Sequence, residues 1–134
     1  MKENELGLHS IEQTFRQKIE ETNAKIYDGS LRSGNKLEHE GTIIVLGDVN
    51  AGAEVVSGEN VIVLGVIRGL AHAGASGNRE AIIVANEIGA PQVRIADIVK
   101  ELGKEENVEG NEGQEQGKTI KKRAYVKSNK IILE

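Results

Sequence analysis

Residues 41–77 read GTIIVLGDVNAGAEVVSGENVIVLGVIRGLAHAGASG, and the reading of this stretch decides the fold. Short runs of Ile, Val and Leu are cut by glycines at 41, 47, 52, 58, 65, 69, 74 and 77. No run is long enough for an ordinary sandwich strand, and none carries helical spacing. Laying Val45-Leu46-Gly47 over Val63-Leu64-Gly65 gives an internal match at an offset of 18, with Val49 falling on Ile67 and Ala53 on Ala71. A third copy, Ala81-Ile82-Ile83-Val84, falls on Val61-Ile62-Val63-Leu64 at an offset of 20. An aliphatic triplet recurring at this period marks a coiled β-solenoid, in which each coil buries its apolar face only by stacking on its neighbours. Glycines then mark corners, where the backbone turns sharply or approaches another coil closely.

Working outward, the period predicts strands at 25–27, 37–39, 42–46, 53–56, 60–64, 66–68, 81–85 and 93–95, with Pro91 at a corner. Ile95, Ile98, Val99 and Leu102 have helical spacing, so the last coil is expected to run into a short helix ending near Gly103. Residues 1–26 are of another kind: Leu8, Ile11, Phe15, Ile19 and Ile26 form one apolar helical stripe, with Ser10 and Gln13 as a capping box. That helix either covers the open end of the solenoid, whose bare backbone groups need a partner, or serves dimerisation or partner binding. The solenoid domain is placed at 27–103. Residues 104–117, KEENVEGNEGQEQG, are an acidic flexible linker. Residues 118–134 read as two strands around Ser128-Asn129, a terminal hairpin laid on the solenoid.

The chain of 134 residues holds three aromatic side chains (Phe15, Tyr27, Tyr125), so its core must be aliphatic ladders rather than an aromatic cluster. It has no cysteine, hence neither disulfides nor thiolate metal sites. No run approaches the roughly 20 apolar residues of a membrane span, and MKENELG lacks the apolar core of a signal peptide. The expected location is the cytoplasm. A net charge of −4 argues against nucleic acid as the main partner. Catalysis finds little footing: His9, His39 and His72 are isolated, without metal-ligand spacing, and neither a metal nor a cofactor is expected. Gly117-Lys118-Thr119 looks like the end of a phosphate-binding loop, but the first glycine of that pattern falls on Glu112 and no strand precedes it. The hexapeptide period of left-handed β-helix acyltransferases is not kept either. Flat solenoid faces favour binding over chemistry. Arg32-Ser33-Gly34-Asn35 is a polar turn that is either a solvated corner or a partner contact through the Arg32 guanidinium, which suits a carboxylate. Arg68-Gly69 offers a second cation, unless Asp48, Glu54 or Glu80 pairs with these arginines.

LRSG at 31–34, DVNAGAE at 48–54, VIRGLAHAGASG at 66–77 and NRE at 78–80 resemble the C-terminal domain of MinC, the bacterial septum-site-determining protein that inhibits division-ring assembly. The resemblance covers residues 27–98, with a weaker echo in the last strands. It implies an all-β, right-handed β-helix of triangular cross-section, about four coils long, with the N-terminal helix and C-terminal hairpin attached. It implies a homodimeric adaptor, not an enzyme, that docks on the membrane-bound ATPase MinD and directs inhibition of the division protein FtsZ. Membrane contact would be indirect, through MinD. Arg32, Ser33 and Gly34 match the family's partner-binding motif; Asn35 stands where the family has glutamine, one methylene longer. The domain credited with blocking FtsZ assembly precedes this point in the family, and the 30 residues ahead of Leu31 are too few to form it. The runner-up is a self-polymerising β-helix scaffold of the bactofilin type.

Overall fold

The structure, a computed structural model, describes residues 23–102 and 119–134 together with Gln13 and Thr14. The two isolated residues are helical and exposed; the remainder of the expected N-terminal helix up to Thr22 and the expected linker at 104–117 lie outside the described residues. The described chain forms β1 (Lys25–Tyr27), β2 (Lys36–His39), β3 (Ile43–Val45), β4 (Glu54–Ser57), β5 (Val61–Ile67), β6 (Leu70–Ala73), β7 (Ile83–Ile88), β8 (Gln92–Ile95), β9 (Ile98–Glu101), β10 (Arg123–Lys127) and β11 (Lys130–Leu133). These wind into a β-solenoid of about four turns.

Three ladders define its faces. One sheet runs β1-β3-β5-β7 in parallel, and a second runs β2-β4-β6-β8 in parallel. Between them a narrow third face is held by the bridges Leu31–Val49 and Val49–Ile67, continued by the pair Ile67–Ile88. Alternation sends every second side chain inward, so like residues stack coil upon coil. Ile43, Val61, Ile83 and Ala124 form one fully buried column; Val55, Ala71 and Val93 form another. Each such Val or Ile contributes about 1.5–3 kcal/mol of burial, and none is large enough to force adjacent coils apart.

The register departs from the sequence reading at two places. Ile43 pairs with Val61 at the expected 18 residues, but Val61 pairs with Ile83 rather than Ala81, so the third coil is two residues longer than the offset of 20. The extra length sits in the exposed corner at 75–80. The shift is even, which keeps Ala81, Ile83 and Ala85 all inward. On the second sheet Ala71 pairs with Val55, not Ala53. Two residues are saved because Gly69 replaces a full turn. Its N–H donates to Val49 O (3.1 Å), and a Cβ there would lie 2.4 Å from Ala53 O and 2.5 Å from Asn50 O.

The expected C-terminal helix is also corrected. Residues 98–101 are strand β9, antiparallel to β8 through a tight turn at Ala96, whose φ is +55°. Ile98 and Leu102 are half-buried against the core while Val99 is exposed, a period-2 pattern that the helical template mimics over so short a span. The hairpin β10–β11 turns at Ser128 and Asn129, both with positive φ as a two-residue primed turn requires, and β10 pairs antiparallel to β7. Reversed strands therefore end both sheets at the C-terminal end. Arg79 fastens this closure with a bidentate bond to Asp97 (2.9 and 2.8 Å) and a third to Asn129 Oδ1 (2.8 Å). It ties the long corner to both reversed turns.

Gly69→Ala should destabilise the fold by about 1–3 kcal/mol, because backbone must move. Gly89→Ala, whose Cβ would meet nothing nearer than 3.8 Å, should leave the melting temperature unchanged or slightly raised. Equal losses in the two variants would contradict the close-approach argument. The hydrogen bond from Arg79 holds the Asp97 carboxyl below its ordinary range. A depressed folded-state value stabilises at neutral pH and is lost as pH falls through it. The melting-temperature gap between wild type and Asp97→Asn is therefore expected near pH 7 and should close in acid.

Candidate functional site

The corner between the narrow face and the second sheet starts from a chain reversal that needs glycine. Residues 32–35 form a turn closed by Asn35 N–H donating to Arg32 O (2.9 Å), with Gly34 at φ +90° in the third position. That backbone suits a type II turn and is costly for any residue with a Cβ. The next coil repeats it at Asn50-Ala51-Gly52-Ala53, where Gly52 has φ +86° and Ala53 N–H donates to Asn50 O (3.0 Å). Gly34 N–H donates to Gly52 O (2.9 Å), so the two turns lie in register. A Cβ on Gly52 would meet Ser33 Oγ at 2.4 Å, which shows how tightly Ser33 sits under the turn above.

Since Leu31, Val49 and Ile67 form one ladder, the residues that follow them form the adjacent column: Arg32, Asn50 and Arg68, ending at Gly89 after Ile88. The structure thus brings Arg32-Ser33-Gly34-Asn35 and Arg68-Gly69 to one corner. Coils repeat about every 4.8 Å, which separates the two arginine positions by roughly 10 Å along the axis. Both side chains are exposed, as are Ser33, Gly34 and Asn35, whereas Gly69 is buried and forms the corner without facing outward. Asn50 lies between the arginines: its Nδ2 donates to Leu31 O (2.9 Å), and its Oδ1 accepts from Arg68 Nη1 (3.4 Å).

The carboxylates considered as internal partners lie elsewhere. Asp48 Oδ1 accepts from Val66 N–H (2.8 Å), and Glu54 stands 4.0 Å from Lys36. Among the described residues neither Arg32 nor Arg68 enters an ion pair. Two exposed cations thus lie on one edge without a carboxylate partner among the described residues, and a guanidinium pairs well with a carboxylate. His72 donates from Nε2–H to Ala96 O (2.9 Å) as a half-buried packed histidine, and His39 Nε2–H donates likewise to Asn23 O (2.9 Å). Among the described residues no three His, Cys, Asp or Glu side chains converge on a common point, and none of their helices is long and apolar enough to cross a membrane.

Sequence reasoning missed a second surface. The outward column of the first sheet is Ile26, Ile44, Ile62 and Val84, followed by Leu46 and Leu64 at 41% and 58% exposure. The second sheet's outer side is mixed: Lys36, Glu38, Glu54, His72 and Arg94 stand there beside Val56, Leu70 and, on β9, Val99. The signal was present as the runs IIVL at 43–46 and VIVL at 61–64, apolar at both parities, which a strand with one wet side does not show.

The comparisons with known proteins bear on the same residues. The family model described as septum formation inhibitor MinC, C-terminal domain, matches residues 25–134. A probable septum site-determining protein MinC from Acetivibrio thermocellus is 37% identical over 116 residues, 87% of this chain and 48% of that protein. The corresponding protein of Gloeobacter violaceus is 54% identical over 70 residues, 52% of this chain and 25% of its own length. The chain thus spans about half or less of these relatives. A solved structure, the MinC:MinD cell division protein complex of Aquifex aeolicus, superposes with a TM-score of 0.69 at 33% identity, covering 83% of this chain and 84% of that one. The stacked coils, the RSG turn and the match over residues 25–134 agree: this chain belongs to the family of MinC C-terminal domains.

Proposed function

We propose that this chain is a homodimeric adaptor of division-site selection that docks on the ATPase MinD through the Arg32–Arg68 corner. By that docking it directs inhibition of FtsZ ring assembly to where MinD sits. The observation that carries the reading is the stacking of Arg32, Asn50 and Arg68 in register on one corner, with neither arginine in an ion pair among the described residues. The likeness to a MinC that was solved with MinD supports the choice of partner. ATP belongs to the partner, and membrane recruitment is borrowed from it. The role is recognition rather than catalysis.

The second copy is assigned to the outer side of the first sheet. An apolar column four coils deep, flanked by two exposed leucines, is costly in water and suits self-complementary pairing about a two-fold axis. The polymerising-scaffold reading is disfavoured by the C-terminal end, where antiparallel β9 and β10 interrupt the parallel ladder that end-to-end stacking would extend.

Arg32→Ala should weaken capture of ATP-bound MinD by about 2 kcal/mol or more, roughly 30-fold, with the dimer intact. Unchanged capture in a titration with immobilised MinD would remove the corner from the proposal. Leu64→Glu projects into solvent in the monomer and would face its own copy or a close neighbour across a two-fold. Sedimentation should show it monomeric at concentrations where the wild type is a dimer; a persisting dimer would move the interface to another face.

A further inference from the structure

Arg32 lies in the first coil, and its backbone differs from the rest of its column for that reason. At this corner every later N–H donates one coil down: Asn50 to Leu31 O (3.0 Å), Arg68 to Val49 O (2.7 Å) and Gly89 to Ile67 O (2.8 Å). The Arg32 N–H donates sideways instead, to Asn35 Oδ1 at 2.9 Å. Asn35 returns its own N–H to Arg32 O at 2.9 Å, so the two residues exchange a pair of bonds across the turn. One coil up, the position equivalent to Asn35 is Ala53, which has no polar side chain. None is needed there, because the coil beneath supplies Asn50 with its acceptor. Among the described residues no rung lies beneath Arg32, and the Asn35 side chain supplies the acceptor for its N–H.

We propose that Asn35 is a positioning residue for Arg32: it fixes the backbone from which the guanidinium projects rather than serving chiefly as a partner contact. This rests on the adaptor reading and revises the part that the family resemblance gives Asn35. The side-chain length matters. An Asn carbonyl reaches an N–H three residues back along a turn, as Asx side chains do in local capping. Arg is long and flexible, so small rotations at its Cα are magnified at the guanidinium, and holding the turn lowers the cost of ordering it on a partner.

The test has two readouts on the full chain. Hydrogen–deuterium exchange of the Arg32 amide, followed by NMR, should accelerate roughly 3- to 10-fold in Asn35→Ala and stay slow in Asn35→Asp, which keeps the acceptor. Affinity for ATP-bound MinD should fall by a similar factor in Asn35→Ala, yet the same substitution should have no further effect in an Arg32→Ala background. Wild-type exchange at Arg32 in Asn35→Ala, or additive losses in the double variant, would overturn the positioning role while leaving the docking corner in place. Failure of the unsubstituted chain to bind MinD would overturn the adaptor reading, and this inference with it.

Discussion

Stacking in register is the constraint from which the other features of this molecule follow. A parallel coil can satisfy its backbone only from the coils above and below. Ile43 N–H donates to Asn60 O (2.9 Å) and Leu46 N–H to Tyr27 O (2.9 Å), and this continues through the corners, where extended geometry is lost. Any corner group left without a partner in the interior would cost about 1–3 kcal/mol. Short polar side chains therefore replace backbone wherever a rung is displaced. Ser30 Oγ accepts from Asp48 N–H (2.8 Å), Asn60 Oδ1 from Ile82 N–H (2.9 Å), and the buried Ser57 hydroxyl donates to Gly41 O (2.6 Å) while accepting from Glu59 N–H (2.9 Å). Asn35 is the same device at the first described coil, where its Oδ1 accepts from Arg32 N–H.

The same constraint separates the surfaces by chemistry. Inward columns are aliphatic apart from the hydrogen-bonded Ser57, so polar side chains concentrate on outer faces and at corners. One outer face carries an aliphatic column, the other mixes charged side chains with Val56, Leu70 and Val99, and the corner opposite the first sheet carries the two arginines. A solenoid of this width fills its interior with its own side chains, which leaves planes and edges as the surfaces on which the proposed contacts are built.

Much of this was legible from the aliphatic triplets and their glycine punctuation. Val45 over Val63 and Val49 over Ile67 are true neighbours, and the hairpin around Ser128-Asn129 is where its turn chemistry placed it. What was not legible follows from how registers are set. Two residues gained at 75–80 and two saved at Gly69 leave the inward parity intact, so an alignment of apolar residues tolerates either choice. Only packing of one backbone on another decides between them. Strand β9 looked helical because four residues cannot separate a period of two from one of 3.6. At the Arg32–Arg68 corner the residue types were visible, but the placement of Arg68 two coils above Arg32 required the ladder. The direction of the Asn35 side chain required the structure of the turn itself. Arg79 was visible within the NRE motif, but its clasping role was not, since its partners Asp97 and Asn129 lie 18 and 50 residues away.

The cross-section links the two proposed interfaces. In a three-faced coil the corner joining the narrow face to the second sheet lies opposite the first sheet. Two copies paired through their first sheets would hold their arginine corners at opposite extremes, pointing away from each other. The contact at one corner is small: two exposed cations, a serine and a glycine turn, weakened by salt and unsuited to tight binding alone. Presented twice on a rigid dimer to partners confined on a surface, the same contact gains effective concentration at the second site once the first is occupied. Dimerisation through an apolar face would thus convert a modest electrostatic contact into recruitment that depends on partner density. It would do so without enlarging the corner, whose size is limited by the width of a single β-turn.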